Sequence, residues 1–116
     1  MTDGILIEYS QIGKDGVLLK IRTERNGAEQ IVFLSGRLDT NTAPELSAAL
    51  DTLLEGVQTL IFNLTELEYV SSAGLRVLLA TYKTMRKQGV MKLRGVQKNV
   101  MEIFEITGLC DVLTIE

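Results

Sequence analysis

The stretch Thr59-Leu60-Ile61-Phe62-Asn63-Leu64 is a nearly continuous apolar run of strand length, and beyond it Leu75, Leu78, Leu79, Tyr82 and Met85 recur at intervals of three and four. The first pattern predicts a strand that is central in a sheet or covered on both faces. The second predicts an amphipathic helix over residues 75–87, with Arg76, Lys83, Arg86 and Lys87 mostly off the apolar face and Gly89 closing it. Val90–Arg94 then reads as another short strand. A strand, a helix and a second strand in that order imply a parallel pair with a right-handed crossover.

Working toward the N-terminus, residues 18–23 and 30–35 are β-branched and apolar, separated by Glu24-Arg25-Asn26-Gly27-Ala28. Asn-Gly is the strongest short hairpin signal, so these two should pair antiparallel. Ile5–Ile12 alternates Ile5, Ile7 and Tyr9 on one side, as an edge strand ended by Gly13-Lys14-Asp15-Gly16 would. After Gly36 the period changes. Thr42-Ala43-Pro44-Glu45 reads as an N-cap, a first-turn Pro and a capping-box Glu. The helix it opens carries Leu46, Leu50, Leu53 and Leu54 at helical spacing and stops near Gly56. Toward the C-terminus, residues 99–107 place Val100, Ile103 and Phe104 on one helical face before Gly108, and residues 112–115 close as an extended piece. A single Pro44, ten scattered Gly and no repeat or linker indicate one compact unit. The fold class is α/β: a small mixed β-sheet, with an N-terminal antiparallel hairpin plus parallel strands, and helices packed on it.

Composition narrows the chemistry. The 116 residues carry 12 Lys plus Arg against 15 Asp plus Glu, a net charge of −3, with no His, no Trp and one Cys. A Cys/His zinc site cannot be assembled from Cys110 alone, and hydrolases that use an imidazole base are excluded with it. A disulfide within the chain is impossible. Cys110, without an imidazole to activate it, reads as a small packed residue, and Met85, Met91 and Met101 as core fillers. No Gly-x-x-x-x-Gly-Lys phosphate loop is present. The expectation is no catalytic residue, no metal and no cofactor. Met1-Thr2-Asp3-Gly4 has no basic region before an apolar one, and the longest apolar runs, such as residues 77–80, fall far short of the roughly 20 residues of a spanning helix. These features predict a cytoplasmic protein without membrane insertion. A slightly acidic chain with few aromatics argues against direct nucleic-acid binding and for a protein partner or small ligand.

The residues that could carry function lie in Leu64-Thr65-Glu66-Leu67-Glu68-Tyr69-Val70-Ser71-Ser72-Ala73-Gly74-Leu75, where a strand delivers the chain into the amphipathic helix. Two hydroxyls stand at the helix mouth. A Ser there ordinarily caps the helix by accepting a first-turn N–H. The functional reading is that Ser72 is a phosphoacceptor, because a phosphate would meet free N–H groups and the positive end of the helix dipole.

Three ordered motifs, Phe33-Leu34-Ser35-Gly36-Arg37-Leu38-Asp39, Val70-Ser71-Ser72-Ala73-Gly74-Leu75-Arg76-Val77-Leu78-Leu79 and Ile106-Thr107-Gly108-Leu109, resemble those of STAS domains, specifically of bacterial anti-sigma factor antagonists. The resemblance covers residues 17–116 and leaves 1–16 as an N-terminal extension. It implies a small mixed sheet with helices on one side. It also implies a partner, an anti-sigma factor that is a serine kinase and whose capture frees a sigma factor, and a switch in which phosphorylation ends that capture, reset by a serine phosphatase. The phosphoacceptor position of the family falls on Ser72. Family members often have Asp before it and Ser or Thr after it, where this chain has Ser71 and Ala73, so Ser71 is a rival acceptor. The implied partner-binding surface comprises Asp39, Thr40, Ser71, Ala73, Gly74 and Arg76. From the residues alone, Asp39 reads equally as a turn-forming Asp before Asn41-Thr42. Two other readings stay open: a constitutive STAS subunit of a lipid or anion transport assembly, and a small enzyme acting through Ser72 and Asp39. The enzyme is the weaker, since no general base stands beside either serine.

Overall fold

The computed structural model describes residues 5–12 and 18–116, with side chains from residue 19 onward. Six strands lie side by side in chain order: β1 (Ile5–Ile12), β2 (Leu18–Asn26), β3 (Glu29–Leu38), β4 (Thr59–Val70), β5 (Val90–Arg94) and β6 (Thr114–Ile115). The first three are antiparallel neighbours, and from β3 onward every adjacent pair is parallel. The parallel pairs are joined through α1 (Ala43–Leu53), α2 (Ser72–Met85) and α3 (Lys98–Thr107), the last followed by a 3₁₀ turn over Leu109–Asp111. This is the mixed sheet expected from the sequence. The edge strand is present as β1, while the turn at residues 13–16 and the facing of Ile5, Ile7 and Tyr9 lie outside the described residues.

Side-chain alternation decides which face the helices cover. Leu19 and Ile21 on β2 and Val32, Leu34 and Leu38 on β3 are buried, and they join Leu46, Leu50, Leu75, Leu78 and Phe104 from the helices in one core. The opposite face carries Lys20, Arg22, Phe33 and Ser35, with the Arg22 guanidinium 4.3 Å from the Phe33 ring centroid. Met85 and Met91 are core residues, and Met101 and Cys110 are half-buried against the core as a whole. The apolar stripe of α2 differs from the sequence reading in one place: Thr81 is buried where Leu79 and Tyr82 are only half-buried, its hydroxyl satisfied by donating to the Val77 carbonyl at 2.7 Å.

The hairpin is tighter than the five-residue spacer suggested. Asn26 pairs with Glu29, so the loop is Gly27-Ala28 alone. Gly27 has φ 65° and no non-glycine residue among those described has positive φ, which is the Gly-first pattern of a II′ turn.

The larger departure is β4, which runs six residues past the apolar run that announced it. Its buried positions from Leu64 onward are Leu64, Leu67 and Val70, a period of three. The cause is two bulges against β3: Phe33 pairs with Asn63, Ser35 with Glu66, Gly36 with Leu67 and Arg37 with Tyr69. Each bulge inserts one extra residue on β4, so a face that alternates by two on β3 alternates by three on β4. β5 pairs only with the first part of β4, as far as Asn63. Two carbonyls beyond that point are taken up by amide side chains around the start of α3: Gln97 Nε2 donates to Thr65 O at 2.8 Å, and Asn99 Nδ2 to Glu68 O at 2.6 Å. Asn99→Ala should lower stability by about 1 kcal/mol, the worth of one such bond. Chemical denaturation checks this, and an unchanged midpoint would mean that water replaces the amide.

Candidate functional site

Ser71 and Ser72 sit where β4 hands over to α2, and the structure gives their hydroxyls different tasks. Ser71 is the N-cap, with extended backbone (φ −99°, ψ 177°), and its Oγ accepts from the Gly74 N–H at 3.4 Å. It is also pinned at both backbone ends: its N–H donates to Leu38 O at 2.9 Å, and its carbonyl accepts from Leu75 N at 2.9 Å. Ser72 is the first helical residue, exposed, and its hydroxyl makes no hydrogen bond. A first-turn position places it among the N–H groups that no helical carbonyl reaches. The capping duty thus falls on the rival, and Ser72 is left accessible.

The Leu38 to Ser71 hydrogen bond joins the end of β3 to the head of α2, so the loop that begins at Asp39 lies beside the serines. That loop is built around the Asp39 carboxylate. Oδ1 accepts from the N–H of Asn41 at 3.0 Å and of Thr42 at 3.1 Å, and from the Thr42 hydroxyl at 3.2 Å. The turn-forming role of Asp39 is therefore realised. The capping box expected at Thr42 is not: Thr42 has helical backbone and its side chain accepts no helix N–H. Its hydroxyl turns back into the loop, donating to Arg37 O and accepting from Asp39 N, each at 2.9 Å. The physical reason is competition, since loop carbonyls and the Asp39 carboxylate offer this buried hydroxyl better partners than the helix end does.

Of the remaining residues in the expected surface, Thr40 and Arg76 are exposed and Ala73 is half-buried. Gly74 is buried beneath the surface rather than on it, against Leu38 and Val70. Reading the residues did not find Arg37 and Tyr69. They face each other across β3 and β4, with the Arg37 guanidinium 4.0 Å from the Tyr69 ring centroid and Arg37 Nε 3.8 Å from Asp39 Oδ2. Arg37 Nε is buried without a hydrogen-bond partner, so the aromatic face and the Asp39 carboxylate hold its charge. Tyr69, 39% exposed, forms an aromatic lip near the end of β4, two residues before Ser71. Beyond them, a groove of about 320 Å³ runs between α1 and α2, with Ser47, Asp51 and Leu54 facing Arg76, Val77 and Thr84. Among the described residues no cluster of His, Cys, Asp or Glu is placed to hold a metal ion, and no helix is long and apolar enough to cross a membrane. What the arrangement offers chemically is an exposed hydroxyl on a helix N-terminus, framed by a carboxylate already engaged in its own loop.

A family model for the STAS domain matches residues 20–116. The anti-sigma-B factor antagonist of Listeria monocytogenes is 35% identical over 96 residues, spanning 80% of this chain and 83% of that protein. A crystal structure of an anti-sigma factor antagonist from Mycobacterium paratuberculosis superposes with a TM-score of 0.75 at 24% identity, covering 90% of this chain and 89% of the other. SpoIIAA of Bacillus shares the fold both in its unphosphorylated form, with a TM-score of 0.73 at 21% identity over 83% and 87% of the two chains, and in its phosphorylated form, with a TM-score of 0.66 at 20% identity over 83% and 90%. With the family match spanning most of the sequence, the six-stranded sheet and the serine-bearing helix mouth fall into place: the chain belongs to the STAS domain family.

Proposed function

We propose that the chain is an anti-sigma factor antagonist, a binding module that captures an anti-sigma factor and is switched by phosphorylation of Ser72. The observation that carries the switch is the division of labour at the helix mouth: Ser71 is occupied as the cap, and Ser72 is exposed with an uncommitted hydroxyl. The name carried by the curated relatives at 31–35% identity favours this reading over a subunit of a transport assembly. The anti-sigma factor is itself the serine kinase in this reading, and a separate phosphatase resets the switch. The protein works in the cytoplasm and does no chemistry of its own.

The site gives the reading a physical basis. A phosphate on Ser72 would lie within reach of the first-turn N–H groups and at the positive end of the α2 dipole. Arg76, four residues on, stands on the same side of the helix, and an anion N-terminal to a cation at that spacing is the favourable order. Ser71, where relatives often carry Asp, caps as Asp would, so this departure leaves the fold of the helix mouth unchanged.

The test is phosphorylation of the purified chain by its anti-sigma factor and ATP, with mass spectrometry of the segment 71–76. Ser72→Ala should abolish the modification and keep the wild-type melting temperature. Ser71→Ala should still be modified and should lose about 1 kcal/mol of stability with its cap. Modification of Ser71, or modification that survives Ser72→Ala, would overturn the assignment.

A further inference from the structure

Helix α2 has no acidic residue in its 14 positions, although the chain as a whole carries a net charge of −3. Its exposed positions Ser72, Arg76, Ala80 and Lys83 follow one another at intervals of three and four, and Arg86 and Lys87 are exposed in the turn that follows its last residue. They form a ridge that begins at the proposed phosphoacceptor. From Ser72 to Lys83 it extends about 16 Å at 1.5 Å per residue. Among the described residues none of its four cations takes part in an ion pair, and of the four Arg86 alone has a ring contact, 5.8 Å from the Tyr82 centroid. The helix dipole accounts for cations at the C-terminal end, where Lys83, Arg86 and Lys87 lie, but not for Arg76, which stands just beyond the first turn. Across the groove, α1 presents Asp51, and it carries Glu45 exposed in its first turn. The two-helix surface is therefore polarised, acidic along α1 and basic along α2.

We propose that the basic ridge of α2 is the docking surface for the anti-sigma factor, and that this partner meets it with a row of carboxylates. The inference rests on the reading of the chain as an anti-sigma factor antagonist and supplies the chemistry of its partner. Four unneutralised cations on an acidic protein suit a negatively charged surface, which they would steer into place and hold in register. The same arrangement explains why one modification at the end of the ridge suffices. A phosphate on Ser72 brings about −1.5 to −2 charges to the place where the partner's carboxylates begin. It also takes Arg76 as its own counterion. Like charge then faces like charge at one end of the interface, and one of the four cations is withdrawn from the partner.

The experiment is surface plasmon resonance of the full chain against the purified anti-sigma factor of the same organism, at two salt concentrations. The wild type should bind, with an association rate that falls at least tenfold between about 0.05 and 0.5 M salt. The double variant Lys83→Glu/Lys87→Glu should associate at least tenfold more slowly. Lys83→Gln/Lys87→Gln, which spares the helix end from like charge, should be slowed about threefold. Lys98→Glu at the start of α3 should leave the rate unchanged. Circular dichroism confirms that each variant is folded. Wild-type binding that is indifferent to salt and to both double variants would overturn the ridge and leave the proposed function standing. Failure of the wild type to bind would overturn both. Loss of binding to phosphatidylglycerol vesicles in the double variant, with anti-sigma factor binding unchanged, would assign the ridge to a membrane surface instead.

Discussion

Stoichiometric phosphorylation of Ser72 is expected to weaken binding of the anti-sigma factor by roughly a thousandfold while shifting the melting temperature by only a degree or two. The affinity loss follows from what the partner must bury. An unmodified Ser72 offers a small neutral hydroxyl, exposed and uncommitted, over which a protein surface can close. A dianion in the same place must be stripped of water against that surface, and an unpaired charge in an interface costs several kcal/mol. About 4 kcal/mol corresponds to a thousandfold in the dissociation constant. The stability of the free chain is another matter, because the free chain never buries the phosphate. There the modified side chain lies in solvent beside free N–H groups and the helix dipole, an environment worth a few tenths to 1 kcal/mol in its favour. Ser72→Glu carries one charge rather than two and should fall between the two states. Calorimetric titration and scanning calorimetry on the same preparations separate the effects. A phosphorylated chain that melts many degrees lower while binding as tightly as before would show that the switch acts by unfolding, not by repulsion at the interface.

The parts of this molecule that were legible beforehand are those where local pattern and final environment agree. Leu46, Leu50 and Leu53 face the core because helical spacing puts them there, and the apolar start of β4 is central because it has β3 and β5 on either side. The end of β4 was not legible as a strand, since Leu64, Leu67 and Val70 repeat by three. No local rule turns a period of three into a strand; only pairing with β3 and two bulges does so. The same bulges hid Arg37 and Tyr69. Continuing the Phe33 to Asn63 register without interruption would set Arg37 opposite Leu67, and the two inserted residues bring it to Tyr69 instead. A cation resting on an aromatic ring next to the serines is thus a product of register, which the residue order does not display. Thr42 is the opposite case, a strong local signal overridden by its surroundings. Its hydroxyl could cap α1 or close the Asp39 loop, and the nearby Arg37 carbonyl and Asp39 backbone decide for the loop. The two hydroxyls at the head of α2 could be located from the sequence but not told apart. Which one caps depends on where the first helical turn begins, and that is set by the Leu38 to Ser71 bond between separate elements.

That bond lies directly beneath Gly74, and Gly74→Ala should therefore destabilise the chain by about 2 kcal/mol. Two effects of opposite sign compete. Alanine in a helix interior is favoured over glycine by up to about 1 kcal/mol, because it restricts the unfolded chain and forms helix more readily. Against this, a Cβ at position 74 would lie 2.7 Å from Leu38 Cγ, 2.9 Å from Leu38 O and 2.9 Å from Val70 Cγ2. Two of those atoms belong to buried side chains of the core, and the third is the carbonyl that accepts the Ser71 N–H. None is the free end of a flexible side chain. Relief requires α2 to move away from the ends of β3 and β4, and overpacking of this kind costs about 1 to 3 kcal/mol, with a weakened hydrogen bond of about 1 kcal/mol in addition. The steric side wins, and the melting temperature should fall by about 8 °C for a domain of this size. Because the movement lifts the helix mouth, amide exchange at Ser71 should accelerate more than exchange in β2 and β3. Gly74→Val, which adds two methyl groups at the same crowded spot, should be worse. A Gly74→Ala chain that melts higher than wild type would mean that the contact between α2 and the strand ends yields easily. The position of Ser72 would then owe little to the packing beneath it.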